Sequence, residues 1–460
     1  MPESGALGRR HLAPLVLVNL GVGMHAMIWY MASTVMPSAV ADLGSADSIS
    51  WATTLYLVTT ILGAVAMAGA KARWGAWWAM VGASVLVTLG SLAAAAAPSI
   101  FLVLVGRALQ GLGEGMLVAL SYALVRELFN NAQVPRVFGI QAATWGIAIF
   151  LGPLVGGWLT ESWSWRAAFL GAAILPIPML AMGARILRQH PRNTGAVLAA
   201  PWWRLAFLTF GVLAIAAADR PAQAGLGVAL VLAGVAVIAL VLRLDKRRAP
   251  HLFPTSFPQL HHPVSLGLWI LLLMPLAQAP VYVYGPYILQ MYRGLSPTWA
   301  GYFGATHALA WSITAILIAR LHPRWQNTAI LSGPVVLTFG LAGLALTTAT
   351  QPLALVVASL VAVGVGFGVC NMFVNQRIMA SVQPGQEDTT AGAIPTVQGL
   401  GGAISAALAG LAGNAIGLDR TLTVEVVQRA SLALYGGGAV LSLLAVAMAW
   451  RFLRALPPAR

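Results

Sequence analysis

Residues 139–158 read GIQAATWGIAIFLGPLVGGW, a stretch of twenty residues without a charged side chain. An α-helix of this length is about 30 Å long, which matches the hydrocarbon core of a membrane. Its small residues let a neighbouring helix approach closely. Pro153 removes a backbone hydrogen bond from the middle of the run and kinks the helix. The stretch therefore predicts a kinked membrane-spanning helix that packs tightly against another helix.

The rest of the chain has the same character. Of its 460 residues, 59% are hydrophobic and only 8% are charged, whereas a soluble globular chain carries about 25% charged residues. Apolar runs of about 20 residues recur along the whole length, without the alternation of a β-barrel. No small-residue cleavage site follows the first run, so we do not expect a signal peptide. The composition predicts an all-α protein with many membrane-spanning helices.

The pattern of apolar runs predicts fourteen such helices, each about 16 to 27 residues long. Their expected positions are 13–36, 51–69, 77–97, 100–125, 137–160, 166–187, 204–219, 223–243, 264–290, 298–319, 327–348, 353–376, 390–416 and 430–453.

The longest polar stretches, 188–203 and 244–263, lie on either side of the seventh and eighth helices. The predicted organisation is therefore a six-helix bundle over 1–195, a two-helix insert with a cytoplasmic linker over 196–262, and a second six-helix bundle over 263–460. Two six-helix halves are typical of a transporter built from repeats.

The net charge of +14 could indicate a nucleic-acid partner, but its distribution argues against one. With the N-terminus in the cytoplasm, twenty basic residues fall in cytoplasmic segments and five in outer ones. This bias fixes the predicted orientation, with both termini cytoplasmic and the basic excess facing lipid headgroups. Arginine far outnumbers lysine, which suggests a GC-rich bacterial genome and hence a bacterial inner membrane.

Metal sites have little support in the sequence. His251, His261 and His262 lie in the predicted linker, where a solvated loop is the alternative to converging metal ligands. The single cysteine, Cys370, lies inside an apolar run and excludes disulfides within the chain.

The small residues of the opening stretch follow a motif with fixed spacing. The sequence resembles the major facilitator superfamily, and specifically its fourteen-helix drug:proton antiporter branch, whose fifth helix carries G-x8-G-x3-GP-x2-GG. Ala148 replaces one glycine, and the matching residues are Gly139, Gly152, Pro153, Gly156 and Gly157. The resemblance implies two bundles related by a pseudo-twofold axis, and export more than import. Close helix packing alone is the alternative role of these residues.

The segment GRALQGLGEG at 106–115 resembles the R-x-x-Q-G-x-G motif of the same family. The resemblance implies that Arg107 takes part in proton transfer; an anchor for helix–helix hydrogen bonds is the alternative. Arg107, Gln110 and Glu114 share one helical face. Burial favours the protonated form of a carboxylate, whereas a nearby guanidinium favours its ionised form. A carboxylate subject to both effects can load and release a proton. We therefore predict Glu114 as the proton carrier, with a permanent ion pair as the alternative.

Two regions depart from the family pattern. In the first helix, Ile28 stands where the branch has a membrane-embedded aspartate, and His25 lies one turn before it. Histidine titrates near physiological pH, so His25 could replace part of that function or serve as a hydrogen-bonding group in a cavity. In the loop between the second and third helices, Arg73 and Gly75 are kept, whereas Ala72 replaces the aspartate of the family's charge relay.

Polar and aromatic side chains inside otherwise apolar helices are, as a set, candidates for a substrate cavity, although packing or a helix interface explains each one alone better. They are Gln110, Gln141, Trp145, Gln278, Tyr282, His307, Trp311, Asn371, Asn375 and Gln398. Aromatic surfaces with few hydrogen-bonding groups suit an amphipathic or aromatic ligand.

No Walker, zinc-protease or serine-hydrolase motif is present, so we predict neither an enzyme nor a cofactor, and a proton gradient as the energy source. The predicted function is proton-coupled efflux of small amphipathic compounds by a monomeric secondary transporter. The alternatives are uptake of a nutrient or chelate, facilitated transport without protons, and a membrane sensor or assembly partner that transports nothing.

Overall fold

The structure is a computed structural model that describes Gly8 and residues 11–130, 132–188, 202–218, 224–247, 249 and 251–456. The described residues form helices joined by short connections. The helices are α1 (Leu12–Asp42), α2 (Ile49–Ala95), α3 (Ile100–Leu128), α4 (Val134–Ser162), α5 (Trp165–Ile174), α6 (Pro176–Ile186), α7 (Trp202–Ala217), α8 (Ala224–Asp245), α9 (Pro263–Met291), α10 (Pro297–Ile318), α11 (Pro323–Thr347), α12 (Leu353–Ala380), α13 (Glu387–Ile416), α14 (Val424–Ser431) and α15 (Gly437–Ala455).

The expected number of membrane-spanning helices is wrong. Among the described residues, 12 helices have the length and apolar character of a membrane span, not fourteen. The predicted helices 51–69 and 77–97 both fall within α2, which runs over 47 residues and is interrupted at Gly75. The predicted helix 204–219 corresponds to α7, whose 16 residues give a length of about 24 Å, short of a hydrocarbon core of about 30 Å.

Gly75 interrupts the helical geometry of α2. Its φ of 82° and ψ of 163° lie in a region open to glycine. On either side of it, residues 49–74 and 76–95 form a first arm and a second arm. A Cβ at Gly111 would lie 2.4 Å from the Tyr56 carbonyl oxygen, and one at Gly113 would lie 2.6 Å from that of Ala83. Two positions close together on α3 therefore contact opposite arms, so α2 doubles back at Gly75.

The chain divides into two compact units. The first comprises Met1–Gly44, Leu55–Ala200 and Leu295–Tyr302; the second comprises Ser45–Thr54, Pro201–Gly294 and Phe303–Arg460. The predicted domain boundary between residues 195 and 196 lies outside the described residues. The residues Arg9, Arg10, Arg192, Arg220, Arg248 and Arg460, which entered the charge count, also lie outside them. The predicted orientation stays a prediction.

The core of the first unit is built from large aliphatic side chains of α1, α2, α3 and α6. Leu17, Met80, Leu117 and Leu120 are fully buried in it, together with Met179. In a membrane protein such packing, rather than exclusion from water, holds the helices together. This core fixes the relative positions of α1, α2 and α3, on which the polar residues of the unit lie.

In the second unit, α9 is the most enclosed of the described membrane-spanning helices, since 83% of the residues in its most apolar stretch are buried. Helices α12, α13 and α15 pack against it. The α7–α8 pair is held by a close glycine contact, because a Cβ at Gly234 would lie 2.5 Å from the Gly211 carbonyl oxygen. Ile215 and Ala216 of α7 pack on Ala407 of α13, whereas α8 is largely exposed.

The segment after α8 is packed and not simply solvated. Asp245 forms a buried ion pair with Arg204 at 2.6 Å, and its carboxylate accepts the backbone N–H groups of Leu252 and Phe253. His251 Nδ1 lies 2.5 Å from the Asp245 carbonyl oxygen. These bonds tie the described part of the linker to the ends of α7 and α8.

Candidate functional site

The predicted proton carrier lies on a helix that glycine residues bring into close contact with its neighbours. Gly106 of α3 is opposed by Gly90 of the second arm, and a Cβ at Gly115 would lie 2.0 Å from the Thr60 carbonyl oxygen of the first arm. Any side chain at these positions would force α3 and α2 apart. The glycines of GRALQGLGEG therefore let α3 insert between the two arms and bring its polar residues against theirs.

Glu114 is fully buried, and its carboxylate joins three helices. The Tyr56 hydroxyl of α2 donates a hydrogen bond of 2.5 Å to its Oε2 atom. His25 Nδ1 of α1 lies 3.0 Å from the same oxygen and 2.9 Å from the Tyr56 hydroxyl. The second oxygen, Oε1, has no hydrogen-bond partner among the described residues. One carboxylate oxygen thus accepts a hydrogen bond within the cluster, and the other can still accept one.

The three side chains differ in access to their surroundings. Glu114 and Tyr56 have no exposed surface, whereas the His25 side chain keeps 15% exposure. The edge of the Trp145 ring packs against the imidazole, with ring centroids 5.7 Å apart. An imidazole in contact with a buried carboxylate can exchange a proton with it, because each group can serve as donor or acceptor. His25 is therefore the most accessible member of the group.

Arg107 lies in the same region but does not contact Glu114 directly. Its guanidinium lies 4.1 Å above the centre of the Tyr56 ring and donates a bond of 2.7 Å to Gln110 Oε1. Gln110 in turn donates to Ser91 Oγ of the second arm at 2.8 Å. Arg107 is 3% exposed, so a cation is held in the interior by a ring face and an amide. Tyr56 contacts both charged side chains, because its ring lies under the Arg107 guanidinium and its hydroxyl donates to the Glu114 carboxylate.

The sequence predicted Glu114, Arg107 and His25 for proton coupling and Gln110 for the substrate cavity, and the structure places all four in or beside one cluster. It did not predict Tyr56, which contributes the shortest hydrogen bond. A tyrosine within an apolar helix is a weak signal, because Tyr30 and Tyr284 have the same setting. Only the fold shows which hydroxyl faces the carboxylate.

The glycine motif of α4 contains positions of two kinds. Gly152 and Gly156 pack against α1, where a Cβ would lie 2.6 Å from Tyr30 Cβ and 3.1 Å from Met31 Cα, respectively. A Cβ at Gly139, by contrast, would have no heavy atom within 4 Å.

The end of the α4 motif meets the first turn of α10. A Cβ at Gly157 would lie 2.5 Å from Thr298 Cα. The Thr298 backbone N–H also donates to Glu161 Oε1 at 2.8 Å, and Pro153 lies close to Gly301. Part of the motif is therefore a close-packing surface, as the sequence suggested.

The loop motif retains its turn without its charge relay. Gly75 makes the turn with positive φ, and Arg73 is exposed. Lys71 pairs with Glu127 of α3.

The predicted cavity residues of the first unit lie on α3 and α4. Gln141 of α4 is buried and donates a bond of 3.3 Å to the Val18 carbonyl oxygen of α1. Trp145, one turn further along α4, contacts His25, whereas Gln110 belongs to the network of Arg107.

The predicted cavity residues of the second unit form two contacts between helices. Gln398 of α13 donates to Asn371 Oδ1 of α12 at 2.9 Å, and Asn375 bonds back to the Asn371 carbonyl oxygen. Trp311 of α10 packs against Phe367 of α12 at 4.8 Å.

Three further candidates lie on α9 and α10. His307 is buried and contacts its own helix through the Gly304 carbonyl oxygen at 2.6 Å. On α9, Gln278 is 8% exposed, and Tyr282 is half-buried. Their role in binding a substrate stays a prediction.

Comparison with solved structures establishes the fold of the protein. A peptide transporter in complex with sulfate superposes with a TM-score of 0.68 over 98% of this chain and all of its own length, at 18% identity. A nucleoside transporter mutant gives a TM-score of 0.66 over 95% of this chain and 99% of its own, at 12% identity. At such low identity these likenesses establish the fold alone, which is that of an all-α membrane protein.

The sequence identifies the family. The Major Facilitator Superfamily matches residues 18–198 and 194–406, and the chain belongs to this superfamily of secondary transporters. A probable multidrug-efflux transporter of Mycobacterium tuberculosis is 31% identical over 422 residues, which are 88% of both chains. The puromycin resistance protein of Streptomyces alboniger is 28% identical over 391 residues, covering 81% of this chain and 76% of its own.

These relations confirm the predicted superfamily, the membrane location and the absence of an enzymatic role, because the matching proteins are transporters and not enzymes. A small-molecule substrate follows from the family. The fourteen-helix branch is not supported, since 12 spans are found in the part of the chain that the structure describes.

Proposed function

We propose that this transporter exports small amphipathic compounds in exchange for protons, with Glu114 as the proton carrier. The observation that carries the proposal is the fully buried Glu114 carboxylate, which contacts Tyr56 and His25 through one oxygen. Ionisable residues inside a membrane are costly, and they mark ion or proton pathways in transporters. The relatives named for multidrug efflux and puromycin resistance support export and an amphipathic substrate.

The cluster supports a simple coupling scheme. In one state of the transporter a proton enters through the partly exposed His25 and moves to Glu114, which becomes neutral. In the other state the proton leaves, and the carboxylate is held by the Tyr56 hydroxyl while Arg107 above that ring balances its charge. Alternating access links these two protonation states to substrate binding on opposite sides of the membrane.

The substrate is proposed to be amphipathic or aromatic, because the polar candidates lie beside aromatic rings. Trp145 flanks His25, and Trp311 packs on Phe367. Suitable first compounds are puromycin, which appears in the name of one relative, and a cationic dye such as ethidium. We place the protein, as a monomer, in a bacterial inner membrane with both termini in the cytoplasm.

The test is transport by the purified full-length protein in liposomes with an imposed pH gradient. An antiporter accumulates labelled puromycin or ethidium when the liposome interior is acidic, and pyranine inside reports the matching proton efflux. Glu114→Gln should remove gradient-driven accumulation while keeping exchange of labelled for unlabelled substrate. Glu425→Gln is the matched control, because Glu425 is an exposed glutamate in the first turn of α14.

Each alternative has its own outcome. Gradient-driven accumulation by Glu114→Gln at the wild-type rate would exclude Glu114 as the carrier. Accumulation by the wild type only when the exterior is acidic would indicate proton-coupled uptake. Substrate flux that does not depend on the pH gradient would indicate a facilitator. No flux of any compound would favour a non-transporting role.

A further inference from the structure

A cleft opens at one end of the first unit, away from the Glu114 cluster. It has a volume of about 390 Å³ and lies where α2 turns at Gly75 and where α6 ends. Its lining residues are Trp74, Gly75, Ala76, Trp77, Trp78, Leu187 and Arg188. Three tryptophans and one arginine thus meet at the ends of membrane-spanning helices.

The aromatic walls of the cleft remain accessible. Trp74 is 52% exposed and Trp78 is 60% exposed. Tryptophan is enriched where a membrane protein meets the headgroup region, since its ring is apolar and its N–H can bond to water or lipid oxygens. Arg188 lies with its guanidinium 4.9 Å from the centre of the Trp77 ring, so the cation is held at the wall of the cleft.

The charge around the cleft is positive. Lys71 is paired with Glu127, and beyond this pair Arg73, Arg185 and Arg188 are all exposed at the same end of the helices. A cluster of basic residues at the membrane surface attracts anionic lipids, at about 1 kcal/mol for each residue near the surface. The charge is therefore complementary to a phosphate group.

The turn at Gly75 also brings the start of a helix to the cleft. The second arm of α2 starts at Ala76, directly after the non-helical Gly75. The first N–H groups of a helix have no partner within it, and they favour an anion. Ala76, Trp77 and Trp78 belong to this first turn, and all three line the cleft.

We propose that this cleft binds the phosphate headgroup of an anionic phospholipid. The Arg188 guanidinium would bond to the phosphate oxygens, for which its planar fork of donors is suited. The faces of Trp74 and Trp78 would contact the glycerol and the first acyl carbons. A lipid, rather than a free anion, fits the exposed rings, because a phosphate alone would leave them uncovered.

The test is native mass spectrometry of the delipidated full-length protein titrated with dioleoylphosphatidylglycerol. Dioleoylphosphatidylcholine and inorganic phosphate are titrated in parallel. Arg188→Gln should weaken binding of the anionic lipid roughly fivefold, the factor expected for one basic residue at a membrane surface. Trp78→Ala, which removes one wall and keeps the charge, should also weaken it.

The matched control is Arg454→Gln. Arg454 also lies over an exposed tryptophan, at 3.6 Å from the centre of the Trp450 ring, but outside this cleft. The proposal predicts that this variant binds the anionic lipid as the wild type does. Equal weakening by Arg188→Gln and Arg454→Gln, equal binding of the zwitterionic lipid, or competition by inorganic phosphate at the affinity of the lipid would overturn it.

Discussion

Two glycines of the same motif should respond in opposite ways to the same substitution. In Gly157→Ala the new Cβ would lie 2.5 Å from Thr298 Cα, whereas in Gly139→Ala it would meet no heavy atom within 4 Å. Carbon atoms pack at about 3.5 to 4.0 Å, so the first turn of α10 would have to move by about 1 Å. That movement would also stretch the hydrogen bond from the Thr298 N–H to Glu161.

The free-energy difference between the two variants follows from this geometry. Both replace a helical glycine by alanine, which stabilises the helix by roughly 0.5–1 kcal/mol. Because this gain is common to both, the variants differ by the cost of overpacking at Gly157, typically about 1–3 kcal/mol. Gly139→Ala should be at least as stable as the wild type, and Gly157→Ala less stable than either.

The assay is the half-life of the monodisperse, detergent-solubilised protein at a fixed elevated temperature, followed by size-exclusion chromatography. A half-life is the suitable quantity because large membrane proteins commonly unfold irreversibly. The expected order from longest to shortest is Gly139→Ala, wild type, Gly157→Ala. Equal half-lives for the two variants would refute the close packing of α4 on α10.

Two further outcomes are expected. Asp245→Ala should strongly reduce the yield of folded protein, because it breaks the buried ion pair with Arg204, at a cost of about 3–5 kcal/mol. Asp42→Ala, which breaks the exposed pair with Arg166 and the hydrogen bond from Trp165, should lower the yield much less; similar yields for both variants would contradict the assigned burial. Tyr56→Phe should slow gradient-driven proton flux at least tenfold, since a hydrogen bond to a charged group contributes about 1.5–3 kcal/mol; pyranine fluorescence in liposomes measures this, and an unchanged rate would exclude a role for the hydroxyl.

The number of spans shows where a pattern of apolar runs fails. Hydropathy located the apolar segments well, and most of the predicted helices have a counterpart in the structure. It did not show that the segments on either side of Gly75 belong to one element, or that α7 ends after 16 residues. Element ends depend on turn geometry and packing, which a window of mean hydropathy averages out.

The sequence by itself determined the class of the protein, and it led to the prediction of Glu114 as the proton carrier. A chain with 8% charged residues must have lipid as its solvent, and a carboxylate inside an apolar run is costly enough to indicate function. Its motif glycines also indicated where helices come close, because a missing side chain is a property of the sequence alone.

Only the tertiary structure decided what surrounds that carboxylate. Glu114 meets Tyr56 and His25, which lie 58 and 89 positions away in the chain. It also showed that Gly157 is packed against another helix and that Gly139 is not. Helical periodicity gives the face on which a side chain lies, but the partner on that face is chosen by the packing of other helices.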